Sequence, residues 1–137
     1  MVYQSLKIRL KQLIDSGQAS CLSESLIGLE KESLRVAEDG AISQSAHPSA
    51  LGSALTNSAI TTDFSEALVE LITPPCDSIK EVLSYLDDIQ KFVYSKLDDE
   101  TLWVTSMPCV VRGGESIPIA QYGNSNVGIM KTVYRRG

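Results

Sequence analysis

The 137-residue sequence contains one histidine, three cysteines and one tryptophan, and aromatic residues make up only 6% of it. With one histidine and with cysteines scattered at Cys21, Cys76 and Cys109, no Ser-His-Asp or Cys-His set has a spacing to read, so covalent catalysis is disfavoured. There is no Cys-x-x-Cys pair, and the odd cysteine count argues against a closed disulfide framework. The simplest expectation is buried or inert thiols in a reducing compartment. Long apolar runs are missing too. The first sixteen residues interleave Lys7, Arg9 and Lys11 with apolar positions, which suits neither a secretory leader nor a membrane span. The expectation is a soluble, cytoplasmic protein. Basic residues are scarce: 12 Lys and Arg stand against 17 Asp and Glu, a net charge of -5. Phosphate-backbone binders need the opposite balance, so nucleic acid is not an expected partner. The Gly-x-x-x-x-Gly-Lys phosphate loop, internal repeats and low-complexity tracts are also absent.

What is present is ordinary globular composition, 43% hydrophobic and 21% charged, enough for one domain with a modest core. Charge is unevenly spread. From Glu24 to Glu70 the acids Glu24, Glu30, Glu32, Glu38, Asp39, Asp63, Glu66 and Glu70 face only Lys31 and Arg35, whereas from Arg112 onward Arg112, Lys131, Arg135 and Arg136 face only Glu115. The acidic stretch suits cations, and the basic end reads as solvated surface.

Apolar residues at Val2, Leu6, Leu10, Leu13 and Ile14 recur at helical steps, and Gly17 stands where a C-terminal cap belongs. A stronger helix is predicted from Ser78, which has capping-box spacing to Glu81, to about Leu97, with its apolar stripe as core. Between them the period shortens to two. Leu26 to Val36 reads as a strand with Ile27 and Leu29 on one face and Glu30 and Glu32 on the other. Ile60 to Phe64 and Ala67 to Thr73 read as two strands joined by a tight turn near Ser65, the second ended by Pro74-Pro75. Asp39 to Asn57 is a long loop with a helical turn around Pro48 to Leu55. Leu102 to Val104 and Cys109 to Val111 are short strands, and Gly123 to Asn126 a turn.

Glu30 and Glu32, two apart on a strand, project together, and Glu70 interrupts an apolar strand where its charge needs a partner. If these strands are neighbours, then with Asp63 they form an oxygen-rich set suited to Mg2+ beside nucleotide phosphates. The competing reading is a solvated sheet face with the acids paired to Lys31 or Arg35. Tyr122 and Tyr134 could line a small-ligand pocket or pack against the second helix. His47, in the long loop before Pro48, is assigned no role.

Taken together, several stretches resemble the gamma-proteobacterial glutamate–cysteine ligases. They are Gly28-Leu29-Glu30-Lys31-Glu32-Ser33-Leu34-Arg35-Val36, His47 to Thr56, Ile60 to Pro74, Ser106-Met107-Pro108-Cys109, Ala120-Gln121-Tyr122-Gly123 and Lys131-Thr132-Val133-Tyr134-Arg135. Several long motifs in the same order are more specific than any one of them.

The resemblance implies an ATP-dependent ligase that joins the γ-carboxylate of L-glutamate to the amine of L-cysteine through a γ-glutamyl phosphate, the first step of glutathione synthesis. It matches Glu30, Glu32, Asp63 and Glu70 to the family's metal-binding acids, with Mg2+ as cofactor and ATP as co-substrate. Tyr134 matches a tyrosine of the cysteine-binding region. The implied fold is α+β, an antiparallel sheet curved around an active-site cavity with helices packed outside, related to the catalytic fold of glutamine synthetase. Family members are several times longer. Residues 1–137 are therefore expected to be the N-terminal portion of one catalytic domain, lacking further metal ligands and most adenine and glutamate contacts. The remainder of the ligase chain would be needed to complete the site. Alone, the chain is expected to be inactive and marginally folded. The alternative is a non-catalytic binding or assembly module that keeps this part of the fold.

Overall fold

The structure, a computed structural model, describes residues 2–136. Helix α1 (Val2–Asp15) is followed by strand β1 (Glu30–Val36), strand β2 (Ile60–Thr61), strand β3 (Leu68–Ile72), helix α2 (Ile79–Tyr94), strand β4 (Thr101–Leu102) and helix α3 (Asn126–Arg136). The four strands form one antiparallel sheet in the order β2-β3-β1-β4. The class is α+β.

α2 starts where the capping logic puts it. Ser78 is extended, and its hydroxyl accepts the backbone N–H of Glu81 at 3.2 Å, which satisfies a donor the first helical turn leaves orphaned. α1 ends at Asp15 and is followed by Gly17 at φ 74°, a left-handed conformation that glycine adopts without a Cβ penalty. Ser49–Leu51 is the helical turn expected in the long loop.

The register orders everything else. In β1 and β3, Glu30 pairs with Ile72, Lys31 with Leu71, Glu32 with Glu70, Ser33 with Val69 and Leu34 with Leu68, while Thr61 of β2 pairs with Glu70. Cross-strand partners share a face, so Ile60, Val69, Leu71 and Leu102 all point to the same side. There they pack with Val93 and Leu97 at and beyond the end of α2, and with Leu51 of the loop, into the principal core. Val69, Leu71 and Val93 are fully excluded from solvent, and each such burial contributes about 1.5–3 kcal/mol. A second cluster of Val36, Ile42, Ala67 and Cys109, with Leu34, Trp103 and Ile117 against it, closes one end of the opposite face. The acids hold the other end.

Several expectations need correction. The two hairpin strands are shorter than predicted, with residues 62–67 between them in place of a tight turn. Ser65 itself bridges to Ile119. Val110 makes only an isolated bridge to Ala41, not a strand. The apolar stripe of α2 is core only in part: Val82 and Val93 are buried, Leu86 and Ile89 half-buried, and Ile79, Leu83 and Phe92 exposed. A sheet edged by two-residue strands is too narrow to cover the whole helix. Every α1 side chain with a described exposure except Leu13 faces solvent. Cys76 and Cys109 are buried free thiols as expected, but Cys21 is exposed.

The largest difference is α3, for which the sequence suggested only the preceding turn. Ser125 initiates it: the hydroxyl of Ser125 accepts the N–H of Gly128 at 3.1 Å. A side chain at residue 128 would have no room, because a Cβ there would stand 2.6 Å from the carbonyl oxygen of Gly123.

Candidate metal and substrate site

Alternation along β1 separates its acids from its bases. Glu30 and Glu32 lie on the face away from α2, together with Glu70, which is directly opposite Glu32. Lys31 and Arg35 project to the other face, and this overturns the reading in which they neutralise the acids. Lys31 donates to the Ser33 hydroxyl at 2.7 Å, and burial lowers its pKa. Arg35 is fully buried: Nη1 donates to Glu100 at 2.5 Å, and Nη2 to the carbonyls of Ser45 at 2.8 Å and Glu66 at 2.9 Å.

The acids are left facing one another. Among the described residues Glu30, Glu32 and Glu70 form no ion pair. The carboxyl of Glu70 is pushed above its ordinary range, first by desolvation and then by the charges of Glu32, Glu30 and Asp63, with Lys131 pulling it back. One electrostatic neighbourhood therefore contains all four acids singled out from the sequence. Among the described residues no three His, Cys, Asp or Glu side chains stand close enough together to hold a metal ion as they are placed. The donor chemistry nonetheless fits a hard divalent cation, being all carboxylate oxygen and short of positive charge.

Asp63 follows β2 and is held from α3. The Lys131 ammonium donates to Asp63 Oδ1 at 2.8 Å and to its backbone carbonyl at 2.5 Å. It also lies 5.5 Å from the ring centroid of Tyr122. Tyr122 is anchored in turn, because its hydroxyl donates to the Thr62 carbonyl at 2.8 Å and meets the Thr62 hydroxyl at 2.5 Å. Tyr122 thus packs on the β2–β3 connection and not on α2. Tyr134 lies one turn beyond Lys131 on α3 and is 71% exposed, so neither tyrosine takes up the core role that was the alternative for it.

Two further residues organise the site without having been singled out. Glu66 is buried, and its two carboxylate oxygens accept the backbone N–H groups of His47 at 2.8 Å and Gln121 at 2.7 Å. It ties the long loop and the approach to α3 onto the β2–β3 connection. Lys131 was read as part of a basic surface and of a family-like stretch, with no role of its own. Its signal was present in its three-residue spacing from Tyr134, once a helix is allowed there. His47 is half-buried with both ring nitrogens buried and unpartnered, and burial, then Arg35, lowers its pKa while Glu66 raises it.

This sheet-and-helix arrangement occurs in solved ligases. The glutamate–cysteine ligase of Francisella tularensis in complex with AMP matches at TM-score 0.75 and 44% identity, over 83% of this chain and 23% of that one. A bifunctional glutathione synthetase from Pasteurella multocida matches at TM-score 0.71 and 37% identity, over 80% of this chain and 15% of that one. The fold class is that of a ligase.

The glutamate–cysteine ligase family model matches residues 10–137, and the chain belongs to that family. The glutamate–cysteine ligase of Alcanivorax borkumensis is 50% identical over 132 residues, 96% of this chain and 25% of the relative. That of Saccharophagus degradans is 54% identical over 125 residues, 91% of this chain and 24% of the relative. The chain thus spans about a quarter of the length of these relatives.

Proposed function

We propose that this chain supplies part of the Mg-ATP and cysteine sites of a cytoplasmic enzyme that ligates L-glutamate to L-cysteine in an ATP-dependent reaction. The observation that carries the reading is the unneutralised acid face, with Glu32 opposite Glu70 and Glu30 beside them. In the proposed enzyme Glu30, Glu32, Asp63 and Glu70 would hold Mg2+. Bound there, Mg2+ would offset the negative charge that develops on a phosphoryl group as it passes from ATP to the γ-carboxylate of glutamate.

The chain's own part is positional. Glu30, Glu32 and Glu70 sit on a hydrogen-bonded ladder, so their backbones stay in place when a cation arrives. Asp63 is fixed by Lys131 and by Tyr122 through Thr62. Tyr134, projecting into solvent one helical turn from Lys131, is free to contact a cysteine-sized ligand. The rest of the catalytic domain, and with it the contacts to adenine and glutamate, would come from the remainder of the ligase polypeptide. On this reading residues 1–137 alone have no ligase activity.

Phosphate release from ATP in the presence of L-glutamate and L-cysteine tests this, measured on this chain and on a full-length ligase that carries it. Release by the full-length protein alone, lost on Glu32→Gln, is expected. Release by neither protein would remove the ligase function and leave a binding or assembly module.

A further inference from the structure

An exposed aspartate needs no buried lysine. Asp63 keeps 60% of its side chain in water, yet Lys131, on a different element, is drawn down to 9% exposure to meet it. Taking most of a lysine out of water is costly unless its charge is used. Three contacts hold the ammonium: the Asp63 carboxylate, the Asp63 backbone carbonyl and the face of Tyr122. Only the first depends on a group that a metal would want. The other two remain when that carboxylate turns away. The charges of Glu32, Glu30 and Asp63 all reach Glu70, and that of Lys131 opposes them there.

We infer that Lys131 is a displaceable counter-ion of the acidic face: it holds the Asp63 carboxylate while no metal is present, and a divalent cation must take that carboxylate from it. The inference rests on the metal-binding reading of the four acids. It assigns a positioning residue, one that sets how tightly and how selectively the face takes a cation. A monovalent ion gains too little from Asp63 to break the pair, whereas a divalent ion gains about twice the Coulomb attraction to the same carboxylate. While the pair is closed, the lysine also offsets part of the repulsion among the acids.

Magnesium titration followed by calorimetry, on a full-length ligase that carries this chain and on its Lys131→Met, Asp63→Asn and double variants, tests the inference. Methionine keeps an unbranched stem over Tyr122 and removes the charge. Lys131→Met is expected to bind Mg2+ roughly fivefold more tightly than the parent, and the gain is expected to fall below about twofold in the Asp63→Asn background, as coupled neighbours require. In the parent, the NMR signal of the Lys131 ε-methylene is expected to move during the titration. Lys131→Arg, which keeps charge and pairing, is expected to leave the affinity near that of the parent. Unchanged or weaker binding by Lys131→Met, or a gain that persists undiminished with Asn at 63, overturns the counter-ion role while leaving the metal site standing. Absence of Mg2+ binding by the parent and every variant removes the metal reading and the inference with it. Far-UV circular dichroism screens each variant for folding, and Lys131→Gln takes the place of Lys131→Met if methionine unfolds the chain.

Discussion

Glu32 and Glu70 are direct partners across the β1–β3 ladder, two carboxylates on one face with no ion pair to either among the described residues. Like charges placed opposite each other in a sheet destabilise it, and the raised pKa of Glu70 records that repulsion on top of its desolvation. A folded-state value above the ordinary 4.5 means that ionising Glu70 costs more in the folded chain than in the unfolded one. The penalty is absent below 4.5 and grows as pH rises through the folded value. Glu70→Gln is therefore expected to stabilise the metal-free chain at pH 7 by about 0.5 kcal/mol. The gain should vanish at pH 4 in urea unfolding, and Mg2+ affinity should fall in the same variant. A variant less stable than the parent at pH 7 would show that the carboxylate already has a stabilising partner.

Glu66 offers a contrasting acid, buried and satisfied. Glu66→Ala strands the N–H groups of His47 and Gln121, and the loss is expected to be roughly 3 kcal/mol, on the scale of two hydrogen bonds to a charged acceptor. Glu66→Gln keeps one carbonyl oxygen and should lose about half as much. Amide hydrogen exchange at His47 and Gln121 should accelerate together in the alanine variant. Acceleration at one site alone would contradict a shared anchor.

Arg35 and Glu100 form a pair in which the arginine is fully buried and the glutamate 17% exposed. Removing one member leaves the other uncompensated, so Glu100→Ala is expected to cost about 3 kcal/mol in urea unfolding. Arg35→Met combined with Glu100→Leu should recover most of that loss, because a matched apolar pair avoids the desolvation. Additive losses in the double variant would argue that Arg35 acts chiefly through the carbonyls of Ser45 and Glu66.

His47 supplies a pH dependence of opposite sign to that of Glu70. Its folded pKa lies below the ordinary 6.5, so as pH falls the unfolded chain takes up the proton first. The stability that neutral His47 contributes is complete above 6.5 and is lost as pH falls through the folded value. Between pH 7.5 and 5.5 the parent is expected to lose more stability than His47→Gln. Equal losses would show that the ring meets water in solution.

Much of this was legible because it is local. Ser78 and Glu81 cap α2 through three residues of chain, and the two-residue period of β1 separates Glu30 and Glu32 from the core whatever β1 pairs with. Pairing of those acids with Lys31 or Arg35 stayed open in the sequence and was excluded only by the structure, in which the odd and even positions of β1 take opposite faces. The register that sets Glu32 against Glu70 is a long-range fact, and no local pattern carries it. α3 was hidden for a different reason. Gly128, Thr132 and Val133 are weak helix formers, so the helix is recognisable only once Ser125 is seen to cap it. Without α3, Lys131 had no address and Asp63 no partner. Glu66 was invisible because composition does not distinguish a buried acid that accepts two backbone amides from a solvated one.

The tight approach of Gly128 to Gly123 means that an absence of atoms governs where a charge ends up. A methyl group at residue 128 would push the first turn of α3 away from Gly123, and the helix would carry Lys131 with it. The alignment of a cation with an acidic surface thus depends on an uncharged position three residues earlier that touches neither. A charge-reversal scan of the acidic face and its lysine would find the partners and miss the position that aims them.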